Sequence, residues 1–306
     1  MSSTASSDVK RPAYFLLIAL AVIWGSSFIL MKRGLFAYTP IQIGCLRMFC
    51  AAVVMSPFLF RYYKTIQPAH WKYLLATGMF GNAIPSVLFP LAQHGISSSL
   101  AGMINTLTPI FTLILGALAF GMAVTRNRVV GLLLGLIGAV LLIGGRGNVS
   151  ADSPVYALYV VAATICYAIS VNVLRHKLNG LDPLAITSFA LLFIGLPMGA
   201  YLFTTDFVER TLSEELTDGF LFPAVPVSAV SFTAIFLLGV LGTAISTVMF
   251  NKLIQRSGAL VASSVTYLIP IVAACWGFAD GESIGVVQIG GLGLILTGVY
   301  IINIKK

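Results

Sequence analysis

Apolar stretches of close to 20 residues recur from Tyr14 to the C-terminus, separated only by short polar breaks. That length fits the hydrocarbon core of a bilayer, which roughly 20 helical residues cross. Lipid offers no partner to a backbone N–H or C=O, so a spanning segment is either a helix or part of a closed barrel. Barrel strands alternate in polarity over about ten residues, and this chain has no such pattern. Ten helical spans are predicted, at 13–31, 40–60, 71–92, 97–120, 127–145, 155–174, 183–204, 229–251, 258–278 and 284–303. The fold class is therefore an all-α integral membrane protein with ten transmembrane helices and a polar cytoplasmic tail at 1–11. Only 9% of residues are charged, against about 25% in soluble domains. The longest break, 205–228, is rich in acid and proline, and "FPAVP" at 222–226 resists any helix through that point.

The formal charge of +8 resembles a nucleic-acid signal, but the basic residues are scattered through short loops. With the N-terminus in the cytoplasm, an even number of spans puts both termini there. Lys10, Arg11, Arg61, Lys64, Lys72, Arg126, Arg128, Arg175, Lys177, Lys252, Arg256, Lys305 and Lys306 then fall inside, and Lys32, Arg33, Arg146 and Arg210 outside. That asymmetry satisfies the positive-inside rule. The expected location is a bacterial-type inner membrane. The expected partners are the lipid bilayer and a small-molecule substrate, with no nucleic acid, for a monomer or homodimer. Cys45, Cys50, Cys166 and Cys275 all lie in apolar stretches, without CxxC spacing or a Cys/His cluster. Neither a metal site, a disulfide framework nor a cofactor is expected. The first apolar stretch carries Trp24 and leads straight into more spans, unlike a cleavable signal peptide.

The chain also repeats itself. "FGNAIPSVLF" at 80–89 aligns without gaps to "LGTAISTVMF" at 241–250, with Gly81/Gly242, Ala83/Ala244, Ile84/Ile245, Val87/Val248 and Phe89/Phe250 identical. The same offset pairs Pro109 with Pro270; one residue later in register, Gly131 pairs with Gly291 and Gly138 with Gly298. The division is 12–150 for a first five-helix repeat and 151–306 for a second. An odd number of spans per repeat forces the second copy to enter from the opposite side, so the repeats are inverted. Inverted repeats are common hardware of alternating access around a midplane site.

"ALAVIWGSSFILMKRGL" at 19–35, followed by Pro40 and Arg47, resembles the opening of the drug/metabolite transporter superfamily, specifically its EamA-type members. The Pro109/Pro270 pair and the Gly281–Glu282 step into a glycine-rich last span are similar to that family too, and the resemblance covers nearly the whole chain. It implies a ten-helix carrier, of a kind that often exports metabolites or amino acids. The halves differ: Met122 stands where the second half has Glu282, and Cys166–Tyr167–Ala168 opposes Trp24–Gly25–Ser26. Within the family, the aromatic content and lack of cavity charge are most similar to exporters of aromatic and other neutral amino acids.

Polar residues inside a membrane are costly, so their placement is informative. Met79, Asn82 and Ser86 share one face by i, i+3, i+7 spacing, and Thr243 and Ser246 are the matching pair in the second half, with Phe250 on that face. Asn105 precedes Pro109, and Tyr267 precedes Pro270. Trp24 and Phe28 are an i, i+4 aromatic pair; Tyr167 and Ser170 lie in the sixth span. These faces are expected to converge on one cavity for substrate, although Ser, Thr and Asn also serve as bonds between packed helices. Arg47, the only charge well within a span, suits a substrate carboxylate; the reading preferred here places it near the outer end, satisfied by backbone carbonyls or Glu282. The spans with Gly131, Gly135, Gly138, Gly290, Gly291, Gly293 and Gly298 are expected to form close helix contacts. No acid lies at mid-span, and His70, His94 and His176 lie near span ends. The expectation is a passive exporter or facilitator without a proton relay. The alternative is a proton-coupled multidrug or metabolite efflux carrier. An intramembrane enzyme lacks HExxH or a nucleophile with a partner at depth, and a channel needs no paired halves.

Overall fold

The computed structural model describes residues 10–121, 125–144, 153–213, 215, 225–263 and 265–303. Among them every regular element is helical. In order they are α1 (Lys10–Gly34), α2 (Pro40–Tyr62), α3 (Trp71–Gly78, a π turn at Met79–Ala83, then Ile84–Ala92), and α4 (Ser98–Ile104, a 3₁₀ turn at Asn105–Leu107, then Thr108–Phe120). Then follow α5 (Arg126–Gly144), α6 (Ser153–Lys177), α7 (Pro183–Leu202), the short α8 (Phe207–Thr211), α9 (Val227–Gly239, a π turn at Val240–Ile245, then Ser246–Ser263), α10 (Val265–Ala279) and α11 (Val286–Asn303).

Eight of these, α1 to α7 and α9, are long and apolar enough to cross a membrane among the described residues; α10 and α11 are apolar but shorter. Within the span expected at 258–278, α9 is helical to Ser263 and α10 from Val265, with residue 264 outside the described residues. The break at 205–228 contains α8, and Pro226 caps the start of α9. The remainder of "FPAVP", at 222–224, lies outside the described residues, as does Met122.

Local chemistry sets the helix starts. Thr39 and Gln42 form a capping box before Pro40, Ser97 Oγ accepts from Leu100 N at 3.2 Å, and Asp182 accepts from Leu184 N at 2.8 Å before Pro183. Each satisfies an amide that the first helical turn leaves without a partner. Large apolar side chains then face two ways. Leu20, Ile43, Ile104, Val160, Leu238 and Ile295 are fully buried in one continuous core, while Phe15, Leu118, Val140, Phe278 and Val286 point outward. An outward apolar surface is costless against lipid tails.

The helix contacts have an exchange pattern. α2 packs on α7 and α5 on α11; α1 packs on α9 and α10, while α6 packs on α3 and α4. Swapping the first five helices for their counterparts in the second half reproduces the same list. The first helix of each half therefore leans on the third and fourth helices of the other. At the α5–α11 contact, a Cβ on Gly138 would stand 2.6 Å from the Gly291 carbonyl oxygen, and one on Gly131 2.3 Å from that of Gly298. Gly290 and Gly293 face open space instead, so the expected close contact belongs to one stripe of α11 only.

Candidate functional site

The bundle holds a partly open cavity of about 160 Å³. Its wall draws on α1 (Trp24, Ser27, Phe28, Met31), α2 (Arg47), α3 (Thr77, Gly81, Asn82, Phe89) and α4 (Asn105, Thr108). From the other half come α6 (Tyr167, Ser170, Val171, Leu174), α7 (Ile186, Thr187, Ala190), α9 (Gly242, Thr247, Phe250, Asn251, Ile254) and α10 (Thr266, Ile269).

Three irregular turns shape that wall. The π turns at Met79–Ala83 and Val240–Ile245 fall at matching places in the sequence repeat. In each, a polar side chain returns to the carbonyl five residues back: Asn82 Nδ2 to Thr77 O at 3.4 Å, and Thr243 Oγ1 to Leu238 O at 3.2 Å. A π turn widens the helix and loosens its regular ladder, which is why such turns gather at functional sites. In α4 the cause is Pro109, which has no N–H to give the Asn105 carbonyl. The chain tightens to 3₁₀ there, and Thr108 Oγ1 donates to that carbonyl at 2.9 Å. Asn105 is thereby held with its side chain at the cavity.

The aromatic wall follows the exchange pattern. The Trp24 ring meets Phe250 edge-on at 5.0 Å, and Tyr167 meets Phe89 at 5.9 Å. Trp24 and Tyr167 belong to the first helix of each half, while Phe89 and Phe250 are partners in the repeat. Trp24 Nε1 also donates to Ser246 Oγ at 2.9 Å and Gly242 O at 3.2 Å, and Phe28 packs edge-on against Phe89 at 5.6 Å. Gly81 and Gly242 allow these approaches: a Cβ on the first would meet Ser170 Oγ at 2.4 Å, and one on the second Ser27 Oγ at 3.2 Å.

Of the residues singled out in the sequence, Trp24, Phe28, Asn82, Asn105, Tyr167 and Ser170 are brought together around this cavity. The other five do not line it. Met79 lies on a separate outer groove with Val87, Leu88, Phe193 and Met198. Ser86 is buried beneath Gly44 and donates to Ala83 O. Thr243 accepts from Arg47, and Ser246 accepts from Trp24; both are bonds between helices, the first buried and the second half-buried. Tyr267 packs against the core, and its neighbour Thr266 lines the cavity. The i, i+3, i+7 face assumed a regular α-helix, and the extra residue in the π turn moves the phase between Met79 and Ser86. Phe250, read on the Thr243 face, lines the wall, while Phe89, its identical partner in the repeat, was not picked out.

Arg47 corrects the sequence reading. It sits within α2, 8% exposed, in the cavity wall, and its Nε donates to Thr243 Oγ1 at 2.7 Å. The cavity is therefore not uncharged, and Glu282 is not the partner of Arg47. Glu282 instead accepts from Ser98 N and Ser99 N, each at 3.0 Å, from Ser98 Oγ at 2.8 Å and from Ser99 Oγ, at the start of α4. Lys32, near the end of α1, pairs with Glu282 at 2.9 Å and Asp280 at 2.6 Å, and Arg33 pairs with Asp280. Burial alone would raise the Glu282 carboxyl, but the Ser99 hydroxyl, Lys32 and the two amides outweigh it and hold it at about 2. This latch joins α1 and α4 to the α10–α11 turn.

Comparison with known proteins agrees with this architecture. An Archaeoglobus fulgidus uncharacterized transporter is 27% identical over 95% of this chain and 99% of its own. The uncharacterized inner membrane transporter YedA of Escherichia coli K12 is 27% identical over 96% of this chain and 92% of its own. A Salmonella typhimurium protein named a probable amino-acid metabolite efflux pump is 24% identical over 96% and 95%. A solved crystal structure shares the fold at a TM-score of 0.61 and 18% identity, covering 95% of this chain and 96% of that one. The EamA-like transporter family matches residues 11–144 and again 155–304. With nearly the whole chain matched, this protein belongs to the EamA-like transporter family.

Proposed function

We propose that this chain carries small neutral or zwitterionic metabolites, amino acids including aromatic ones among them, across the inner membrane by alternating access. On this reading ten helices, α1 to α7 and α9 to α11, cross the bilayer as two inverted five-helix halves with both termini in the cytoplasm. The observation that carries it is the cavity wall drawn from both halves, with Trp24–Phe250 and Tyr167–Phe89 as exchanged pairs. Two halves that share one site in equivalent ways can expose it alternately by rocking against each other. The two matched segments of the family, 11–144 and 155–304, are also what a division near residue 150 would give. The name of the Salmonella relative supports an amino-acid substrate.

Among the described residues, the wall holds no carboxylate or histidine to relay a proton, which supports passive export or exchange. Counterflow in proteoliposomes tests the carrier. Unlabelled amino acid loaded inside is expected to accelerate entry of labelled amino acid, with saturation; linear, unaccelerated flux would count against it. Accumulation driven by an imposed pH step would count against passivity. Orientation is tested by cysteine labelling on a cysteine-free background. His94→Cys is expected to react from outside and Arg256→Cys from inside; reaction of both from one side would remove the inversion.

A further inference from the structure

Among the described residues Arg47 is the one cation in the cavity wall, and its surroundings leave it incomplete. Its Nε is committed to Thr243 Oγ1 at 2.7 Å. Among the described residues no side chain or carbonyl accepts from its two terminal nitrogens, and no carboxylate pairs with it. The ion pairs use Lys32, Arg33 and Arg210 instead. A guanidinium does not shed its proton in a protein, and an uncompensated charge at membrane depth is costly. The bond to Thr243 fixes one edge of the planar group, so the remaining donors face the cavity in a preset orientation. Two parallel N–H donors match the two oxygens of a carboxylate. Among the described residues the rest of the wall is rings, aliphatic side chains and neutral hydrogen-bonding groups, with no acid to neutralise a substrate cation.

We propose that Arg47 is the receptor for a substrate carboxylate, and that the cavity selects small monocarboxylates whose apolar or single-ring body lies among Trp24, Phe28, Phe89 and Tyr167. This rests on the reading of the cavity as the transport site. The volume of about 160 Å³ is close to the roughly 150 Å³ in which a buried apolar cavity takes up benzene. An amino group finds only neutral acceptors, such as the Asn82 and Asn105 amides, so the carboxylate contributes most of the selectivity and the amine less.

The test uses four matched probes, phenylalanine, phenylpropionate, phenylalaninamide and phenethylamine, against the full-length protein. Binding is read as a ligand-induced thermal shift in detergent, and transport as counterflow in proteoliposomes. The two acids are expected to bind and compete, and the amide and amine to be at least about 30-fold weaker. Arg47→Gln is expected to erase that preference, and Arg47→Lys to keep it with affinity about tenfold lower. Equal binding of acid and amine by the wild-type protein overturns the proposal, as does an Arg47→Gln variant with the preference intact. If Arg47→Gln does not fold, the wild-type comparison of phenylpropionate with phenethylamine decides alone. Saturable counterflow that ignores the carboxylate would remove the role of Arg47 and leave the carrier standing. Absence of saturable transport for every probe would remove both.

Discussion

At the scale of single residues, Trp24 combines three contacts that are separable by mutation. Its ring packs on Phe250, its N–H bonds to Ser246 and Gly242, and its face lines the cavity. Trp24→Phe keeps the ring contact and is expected to cost roughly 1 kcal/mol of stability, about what a bond between membrane helices is worth. Counterflow should remain saturable. Trp24→Ala also strips the wall, and is expected to raise the half-saturation concentration about tenfold. Six of the eleven residues picked out from the sequence surround the cavity because aromatic and amide groups at mid-span have few other reasons to be there. Ser86, Thr243 and Ser246 illustrate the limit: a small hydroxyl on a helix bonds its own carbonyl or a neighbouring helix as readily as it faces a solute. Arg47 was legible as an intramembrane charge, but its partner was not, since Thr243 lies 196 residues away.

At the scale of elements, most helix ends were read to within a few residues because hydropathy and proline mark them directly. Irregular turns were not, because a π turn leaves no compositional trace. Its effect is large. Each residue advances an α-helix by about 100°, so removing the surplus residue by deleting Ala83 would turn Ile84–Ala92 by that angle. Phe89 would then leave Tyr167 and Phe28. Such a variant is expected to insert and purify yet lose saturable counterflow. The α5–α11 contact makes a separate case. Gly138→Leu forces a side chain against the Gly291 carbonyl and is expected to cost about 1–3 kcal/mol, read as a lower thermal midpoint in detergent. Gly290→Ala, on open space, is the control and should leave that midpoint in place.

At the scale of the whole molecule, the internal repeat was legible because proline, glycine and phenylalanine recur at nearly constant offset. The latch was not, because Lys32 and Glu282 are 250 residues apart and pattern alone does not join them. The Glu282 carboxyl is held at about 2, below its ordinary 4.5. Its contribution is therefore complete above pH 4.5 and disappears as pH falls toward 2. Thermal midpoints measured across that window should drop in the wild-type protein and change less in Glu282→Gln. In the sequence the first half carries Met122 where the second carries Glu282, so the repeat does not supply this carboxylate twice. In the proposed cycle, freeing the latched end parts opposite charges in water, where dissolved ions shield them within about 10 Å at 0.1 M. The stroke that opens this end would then quicken as ionic strength rises.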